Sequence, residues 1–140
     1  MNKENMLKLA AVIEPLPINN TFYSEPETPK FCMSYVVFDC GTPACIAGWA
    51  ASCATGRSIL NGTPIISTAA AWLDVPGGWA HSNLFYPDMA MEHLFNDYNY
   101  DRVTPKVAAA LLRELASKDK LPDGDEMLDV WAEAFKKGAE

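Results

Sequence analysis

Cysteine is the residue type in this 140-residue chain whose spacing most invites a chemical interpretation. The four cysteines are Cys32, Cys40, Cys45 and Cys53. No two of them show the two-residue spacing of zinc fingers and ribbons. Cys45 and Cys53 fall on one predicted helix, ~12 Å apart along its axis, which is too far to share a metal ion. Although Cys40, Cys45 and His81 could in principle meet, we expect buried structural thiols, no metal and no cofactor.

Cys40 is the best candidate for a nucleophile. It stands two residues before Thr42, close to the start of a predicted helix, where the helix dipole can depress a thiol pKa. His81 could then serve as the base, and Asp39 could orient the imidazole ring. These residues define the alternative function, a cysteine-dependent hydrolase or transferase.

The segment around Cys40 also resembles two peptidase motifs. Asp39-Cys40-Gly41-Thr42 is similar to the Asp-Cys-Ser-Gly of NlpC/P60-type cysteine peptidases, and Cys40-Gly41 to the Cys-Gly of papain-like enzymes. In both families the histidine lies on a strand, whereas no predicted strand here carries His81 or His93. His93 and Asp88 are further candidates for the base and the orienting group.

A polar, tyrosine-rich loop supplies the other candidate site. Asp97-Tyr98-Asn99-Tyr100-Asp101 begins like a calcium-binding loop. The EF-hand pattern then requires a glycine and, at its twelfth position, a glutamate, but Arg102 and Ala108 stand there. We therefore predict a polar turn that orients tyrosines for binding. The candidate binding residues are Tyr86, Asp97, Tyr98, Tyr100 and Asp101.

Charge and composition limit the classes of partner. The formal net charge is −7, and residues 71–140 contribute −6 of it, with seven Lys or Arg against thirteen Asp or Glu. Such a chain lacks the clustered cations that bind nucleic acid or anionic membranes. The acidic half is either a solvated surface or one that engages a basic partner protein. With no signal peptide and no apolar span of about 20 residues, we expect a cytoplasmic protein.

Three Thr-Pro pairs indicate the elements that must position these residues. Thr42-Pro43, Thr63-Pro64 and Thr104-Pro105 each precede an alanine-rich apolar segment. Threonine is a good N-cap and proline suits the first helical position, so each pair predicts a helix start. Asp123 with Glu126 predicts a capping box on the last helix.

The sequence as a whole predicts a mainly α fold. We expect one domain over residues 1–140, a bundle of five to six helices with a connector at 15–30. Its centre is a buried helix at 43–55, which carries no charged residue and ends at Gly56. The segment 31–38 is either a minor β element or helical.

The motif that starts this central helix resembles one group of proteins. Cys40-Gly41-Thr42-Pro43-Ala44-Cys45-Ile46-Ala47-Gly48-Trp49-Ala50 is similar to the Cys-Gly-Thr-x-x-Cys-x-Ala-Gly-Trp/His-Ala string of small uncharacterised proteins from bacteria and their phages. The likeness covers about residues 31–118 and implies a bacterial or phage cytoplasmic origin. No activity comes with it.

Together these observations favour a non-enzymatic binding or regulatory module that acts through protein–protein contacts. A phage accessory or host-interaction (anti-defence) factor with an acidic surface fits this description. The expected partner is another protein, and a homo-oligomer is also possible. Neither nucleic acid nor a membrane is an expected partner.

Overall fold

A computed structural model describes residues 1–139, and its regular structure is almost entirely helical. Six of its helices have eight or more residues, which confirms the predicted mainly α bundle. The helices are α1 (Lys3–Ile13), α2 (Ile46–Thr55), α3 (Ile65–Leu73), α4 (Gly77–Ala80), α5 (Asp88–Phe95), α6 (Pro105–Ala116) and α7 (Gly124–Gly138). A π-helical turn (His81–Phe85) continues α4, and a 3-10 turn (Tyr100–Arg102) precedes α6. None of the described helices combines the length and apolar character needed to span a membrane.

The helix α6 is the centre of the packing, because it contacts α1 on one side and α7 on the other. On α1 the fully buried residues Met6, Leu9 and Ile13 recur at helical spacing and form the face toward the core. At the edge of this contact, Arg113 of α6 donates two hydrogen bonds to the Glu14 carboxylate, at 2.6 and 3.1 Å. α2 packs mainly against α3, beside the same core.

Several predicted helix ends are confirmed. The Thr104 hydroxyl accepts a hydrogen bond from the Val107 amide at 3.2 Å, with proline at the start of α6. Asp123 and Glu126 form the predicted capping box on α7. Gly56 ends α2 with a positive φ of 70°, the left-handed conformation in which glycine is favoured.

The predicted helix start at Thr42-Pro43 is wrong, since α2 begins at Ile46, three residues after Pro43. The backbone before it is paired elsewhere. The Phe38 amide donates to the Thr42 carbonyl at 3.0 Å, and the Ala44 amide donates to the Val36 carbonyl at 3.1 Å. These bonds hold residues 42–44 extended against 36–38, so that they are not free to enter the helix.

The segment 31–38 is neither a helix nor a regular strand. It makes two isolated β-bridges, one parallel between Ile18 and Phe31 and one antiparallel between Val37 and Pro43. A minor β element near 31–38 was therefore a correct expectation. The segment 31–38 pairs with Ile18, which precedes it in the sequence, and with Pro43, which follows it.

The pair Thr63-Pro64 marks a helix start but not a cap. α3 begins at Ile65, and Pro64 occupies the N-cap position without a side-chain hydrogen bond. The Thr63 hydroxyl instead accepts from the Arg57 guanidinium at 3.2 Å. The predicted capping role of Thr63 is therefore wrong.

Candidate functional site

The surroundings of Cys40 are those of a packed thiol. Its Sγ lies 3.1 Å from the Thr42 hydroxyl, and the half-buried side chain packs against a small apolar cluster that includes Phe38. The start of α2 at Ile46 is six residues further along the chain. The expected activation of Cys40 by the helix dipole depended on a helix start at Thr42, and the later start of α2 removes that premise.

The other predicted catalytic residues are engaged with different partners. The Asp39 carboxylate accepts a hydrogen bond from the Ser24 amide at 3.0 Å. His81 is exposed on the π-helical turn, with its ring 4.8 Å from that of Tyr86. Within residues 1–139, no hydrogen bond or ring contact links the side chains of Cys40, His81 and Asp39 to one another.

The remaining cysteines are free thiols held in apolar surroundings. Burial raises the pKa of the Cys45 thiol to about 11. Burial also raises the pKa of Cys32 and of Cys53. Since the thiolate is the reactive and metal-binding form, these three are poor nucleophiles and poor ligands. Across residues 1–139 no three His, Cys, Asp or Glu side chains lie close enough to hold a metal ion.

The tyrosine-rich loop is fixed to one face of α5. The Tyr100 hydroxyl donates a hydrogen bond to the Asp88 carboxylate, and the Tyr98 hydroxyl donates to Glu92 at 3.0 Å. Asp88 and Glu92 are four residues apart, so both lie on the same face of the helix. This spacing, next to a tyrosine-rich loop, was the sequence signal that could have identified the two carboxylates as partners of the loop.

The pKa values of both loop tyrosines are raised. The pKa of Tyr100 is raised, first by burial and then by its hydrogen bond to Asp88. The hydrogen bond to Glu92 raises the pKa of Tyr98, because a tyrosinate beside a carboxylate would be repelled. Tyrosine hydroxyls are protonated at neutral pH in any case, and the raised pKa values extend their role as donors to α5 to more alkaline pH.

Two further pairs hold the loop in place. Arg102 donates to both oxygens of Asp97, at 2.7 and 3.3 Å, and its guanidinium lies 4.6 Å from the centre of the Phe95 ring. The Arg102 partner lowers the pKa of the Asp97 carboxyl. The Asp101 carboxylate accepts from the Ser34 hydroxyl at 2.7 Å, which joins the loop to the segment 31–38.

The predicted binding residue Tyr86 is less accessible than the loop tyrosines. It is half-buried at the end of the π-helical turn and packs against the core, with its ring tilted by 44° to that of His81. Burial raises the pKa of its hydroxyl. Tyr86 therefore borders the loop and belongs mainly to the core.

Two large side chains, one on α5 and one on the loop, remain mostly in solvent. Met89 on α5 is 62% exposed, and Tyr98 is 59% exposed. We call the exposed region of α5 and the loop the tyrosine–carboxylate surface. Its residues are Asp88, Met89, Glu92, Tyr98 and Tyr100.

Comparisons with models of protein families, with curated proteins and with solved structures found no match to this chain. The resemblance drawn from the Cys40–Ala50 motif stays a prediction.

Proposed function

We propose that this protein is a non-enzymatic binding or regulatory module that contacts another protein through the tyrosine–carboxylate surface. The observation that carries the proposal is the combination of exposure and fixation at Tyr98. Its ring is 59% exposed, while its hydroxyl is bonded to Glu92. An aromatic side chain presented in a fixed position loses little conformational freedom on binding, and tyrosine and methionine are enriched in interfaces.

The expected partner is basic. The net charge of −7 and the two carboxylates of this surface favour association with a positively charged protein and raise its rate of encounter. The resemblance to bacterial and phage proteins extends the proposal to a phage accessory or host-interaction (anti-defence) factor. It would act in a bacterial cytoplasm, or in that of the host if a phage encodes it.

Site-specific photo-crosslinking tests the proposal. A benzophenone amino acid is placed at Met89 or at Tyr98, and in a control at Leu7, which is 49% exposed on α1. We expect Met89 and Tyr98 to capture the same partner from cells of the source organism, and Leu7 to capture none of it. Equal capture from Leu7, or no specific product from either surface position, would refute the proposal.

Binding of the identified partner then separates the competing functions. We expect Tyr98→Ala to weaken the affinity at least about tenfold, as for a central aromatic residue of an interface. Cys40→Ser should leave the affinity unchanged, because Cys40 packs against a different cluster. Light scattering on the purified protein gives its mass in solution. A mass of two or more chains would indicate that the captured species is a second copy of this chain, and the function would then be that of a homo-oligomer.

A further inference from the structure

A second group of exposed aromatic side chains lies on the connector and the segment that follows it. The ring of Phe22 lies 5.9 Å from that of Tyr23 and 5.4 Å from that of Tyr35. All three are exposed, and Tyr23 most of all, at 74%. We call Phe22, Tyr23 and Tyr35 the connector aromatic cluster. Contiguous exposed apolar surface of this kind is uncommon and marks interaction sites.

The backbone under this cluster is fixed, although the rings are in solvent. The Asp39 amide donates to the Phe22 carbonyl at 2.9 Å, and the Asp39 carboxylate accepts from the Ser24 amide. The Asn19 side chain donates to the Tyr23 carbonyl at 2.9 Å. The cluster is therefore presented as a preformed surface, which lowers the entropic cost of binding.

One hydrogen bond connects the cluster to the tyrosine–carboxylate surface. Ser34, the neighbour of Tyr35 in the chain, donates to Asp101, the neighbour of Tyr100. This bond joins residues 67 positions apart and brings the segment that carries Tyr35 against the loop that carries Tyr98 and Tyr100. A partner segment seated on one of them has the other within reach.

Both regions carry an excess of negative charge. Segments 21–39 and 86–102 together contain seven acidic residues and two of Lys or Arg, which gives −5 of the net charge of −7. The acidic residues are Glu25, Glu27, Asp39, Asp88, Glu92, Asp97 and Asp101, and the cations are Lys30 and Arg102. Aromatic faces bordered by carboxylates attract cations that can also stack.

The protein already holds one arginine by this combination. Arg102 lies over the ring of Phe95 while two of its donor nitrogens, Nε and Nη2, bond to Asp97. A guanidinium is planar, permanently charged and able to stack, so it fits an aromatic and acidic surface better than an ammonium group does.

We propose that the connector aromatic cluster and the tyrosine–carboxylate surface form one docking surface for an arginine-rich segment of the partner protein. The inference rests on the proposed function and names the chemistry of the partner. It assigns to Tyr23 a direct contact with a partner guanidinium, in a region outside the loop on which the proposed function depends.

The test uses a fluorescein-labelled peptide of about twelve alternating Arg and Gly residues, which extends to ~40 Å. Fluorescence anisotropy at physiological salt gives its affinity for wild type, Tyr23→Ala and Tyr98→Ala. Both substitutions leave the net charge at −7, so general attraction to an acidic protein is unchanged. We expect each variant to bind the peptide about fivefold more weakly, because each loses one exposed cation–π contact. Leu7→Ala, a change on α1, should bind like wild type.

The outcomes separate this inference from the proposed function. The joint surface is refuted if only Tyr98→Ala weakens the binding of the peptide, or if neither variant does. It is also refuted if the peptide does not bind to the wild-type protein. In each of these cases the crosslinks from Met89 and Tyr98 still decide the proposed function independently. A Lys-Gly peptide that binds equally well overturns the preference for arginine. Tyr23→Leu, which keeps an apolar side chain, shows whether the aromatic face is responsible, and thermal melts check that each variant is folded.

Discussion

A Cβ atom added at Gly48 would lie 2.3 Å from the carbonyl oxygen of Val36, well inside the closest approach of real atoms. Glycine is unfavourable within a helix, and here it permits α2 to lie directly on the extended segment 36–38. The same carbonyl accepts the hydrogen bond of the Ala44 amide. Gly48 and Val36 therefore fix the position at which this segment crosses the helix.

We expect Gly48→Ala to destabilise the protein. The helix propensity of alanine contributes about 1 kcal/mol in favour of the variant, but displacing a backbone carbonyl in a packed interior costs about 2–3 kcal/mol. The free energy of unfolding, measured by urea titration with circular dichroism, should fall by about 1–2 kcal/mol.

The matched control is Gly78→Ala in α4, where no atom lies within 4 Å of an added Cβ. The same substitution should stabilise there by about 0.5–1 kcal/mol, because only the backbone entropy changes. If Gly48→Ala were also stabilising, the close approach to Val36 would be refuted.

Thr104→Ala should cost about 1 kcal/mol of unfolding free energy. The substitution removes the hydroxyl that accepts from the Val107 amide at the start of the central helix α6. Thr63→Ala is the control, since Thr63 precedes α3 without capping it and its hydroxyl accepts from the exposed Arg57. Its expected loss is below about 0.5 kcal/mol. Equal losses in the two urea titrations would argue against the difference between the two Thr-Pro pairs.

The stability of the protein should decrease at alkaline pH through Cys45. Burial raises the pKa of this thiol from 9.0 to about 11, so the folded state retains a proton that the unfolded state releases between these values. The free energy of unfolding then falls with rising pH across this window, by at most ~1.4 kcal/mol per pH unit, and is independent of this thiol below it.

Tyrosine and lysine side chains also titrate in this range, so Cys45→Ala serves as the reference for the measurement. Urea titrations of both proteins at a series of pH values should show the advantage of wild type shrinking by ~2 kcal/mol between pH 8 and 11. A difference that stays constant with pH would show that Cys45 ionises normally in the folded protein.

Cys40 should behave as an ordinary thiol toward alkylating agents. Its side chain is half-buried, its sulfur contacts the Thr42 hydroxyl, and α2 begins at Ile46 instead of at Thr42. With iodoacetamide at neutral pH, peptide mass spectrometry should show Cys40 modified no faster than a free thiol such as glutathione. Modification many times faster would revive the cysteine-dependent enzyme.

Local sequence predicted those features whose two partners are near neighbours in the chain. Asp123 and Glu126 stand three residues apart and form the expected capping box. Thr42-Pro43 and Thr104-Pro105 carry the same local chemistry, yet only the second pair begins a helix. The difference is tertiary, because the residues after Thr42 are paired with residues 36–38.

Only part of the candidate site could be predicted, because helical spacing places Asp88 and Glu92 on one face of α5 but does not determine how the loop lies on that face. The tyrosines of the loop were evident in the sequence, but their attachment to Asp88 and Glu92 arises where the loop folds back on α5. The bond between Ser34 and Asp101 spans 67 positions and had no local signal. The interaction of Arg102 with Asp97 was accessible in principle, since the two are only five residues apart.

The contact between α1 and α6 also sets the order of events during synthesis. Glu14 and Arg113, which meet at its edge, are 99 residues apart in the chain. At about 5–20 residues per second, a ribosome needs roughly 5–20 s to make the intervening chain. Throughout that interval Leu9 and Ile13, which end fully buried, have no α6 to cover them. The emerging polypeptide therefore exposes the apolar residues of this segment to solvent, and transiently exposed hydrophobic surface of this kind makes a nascent chain prone to aggregate.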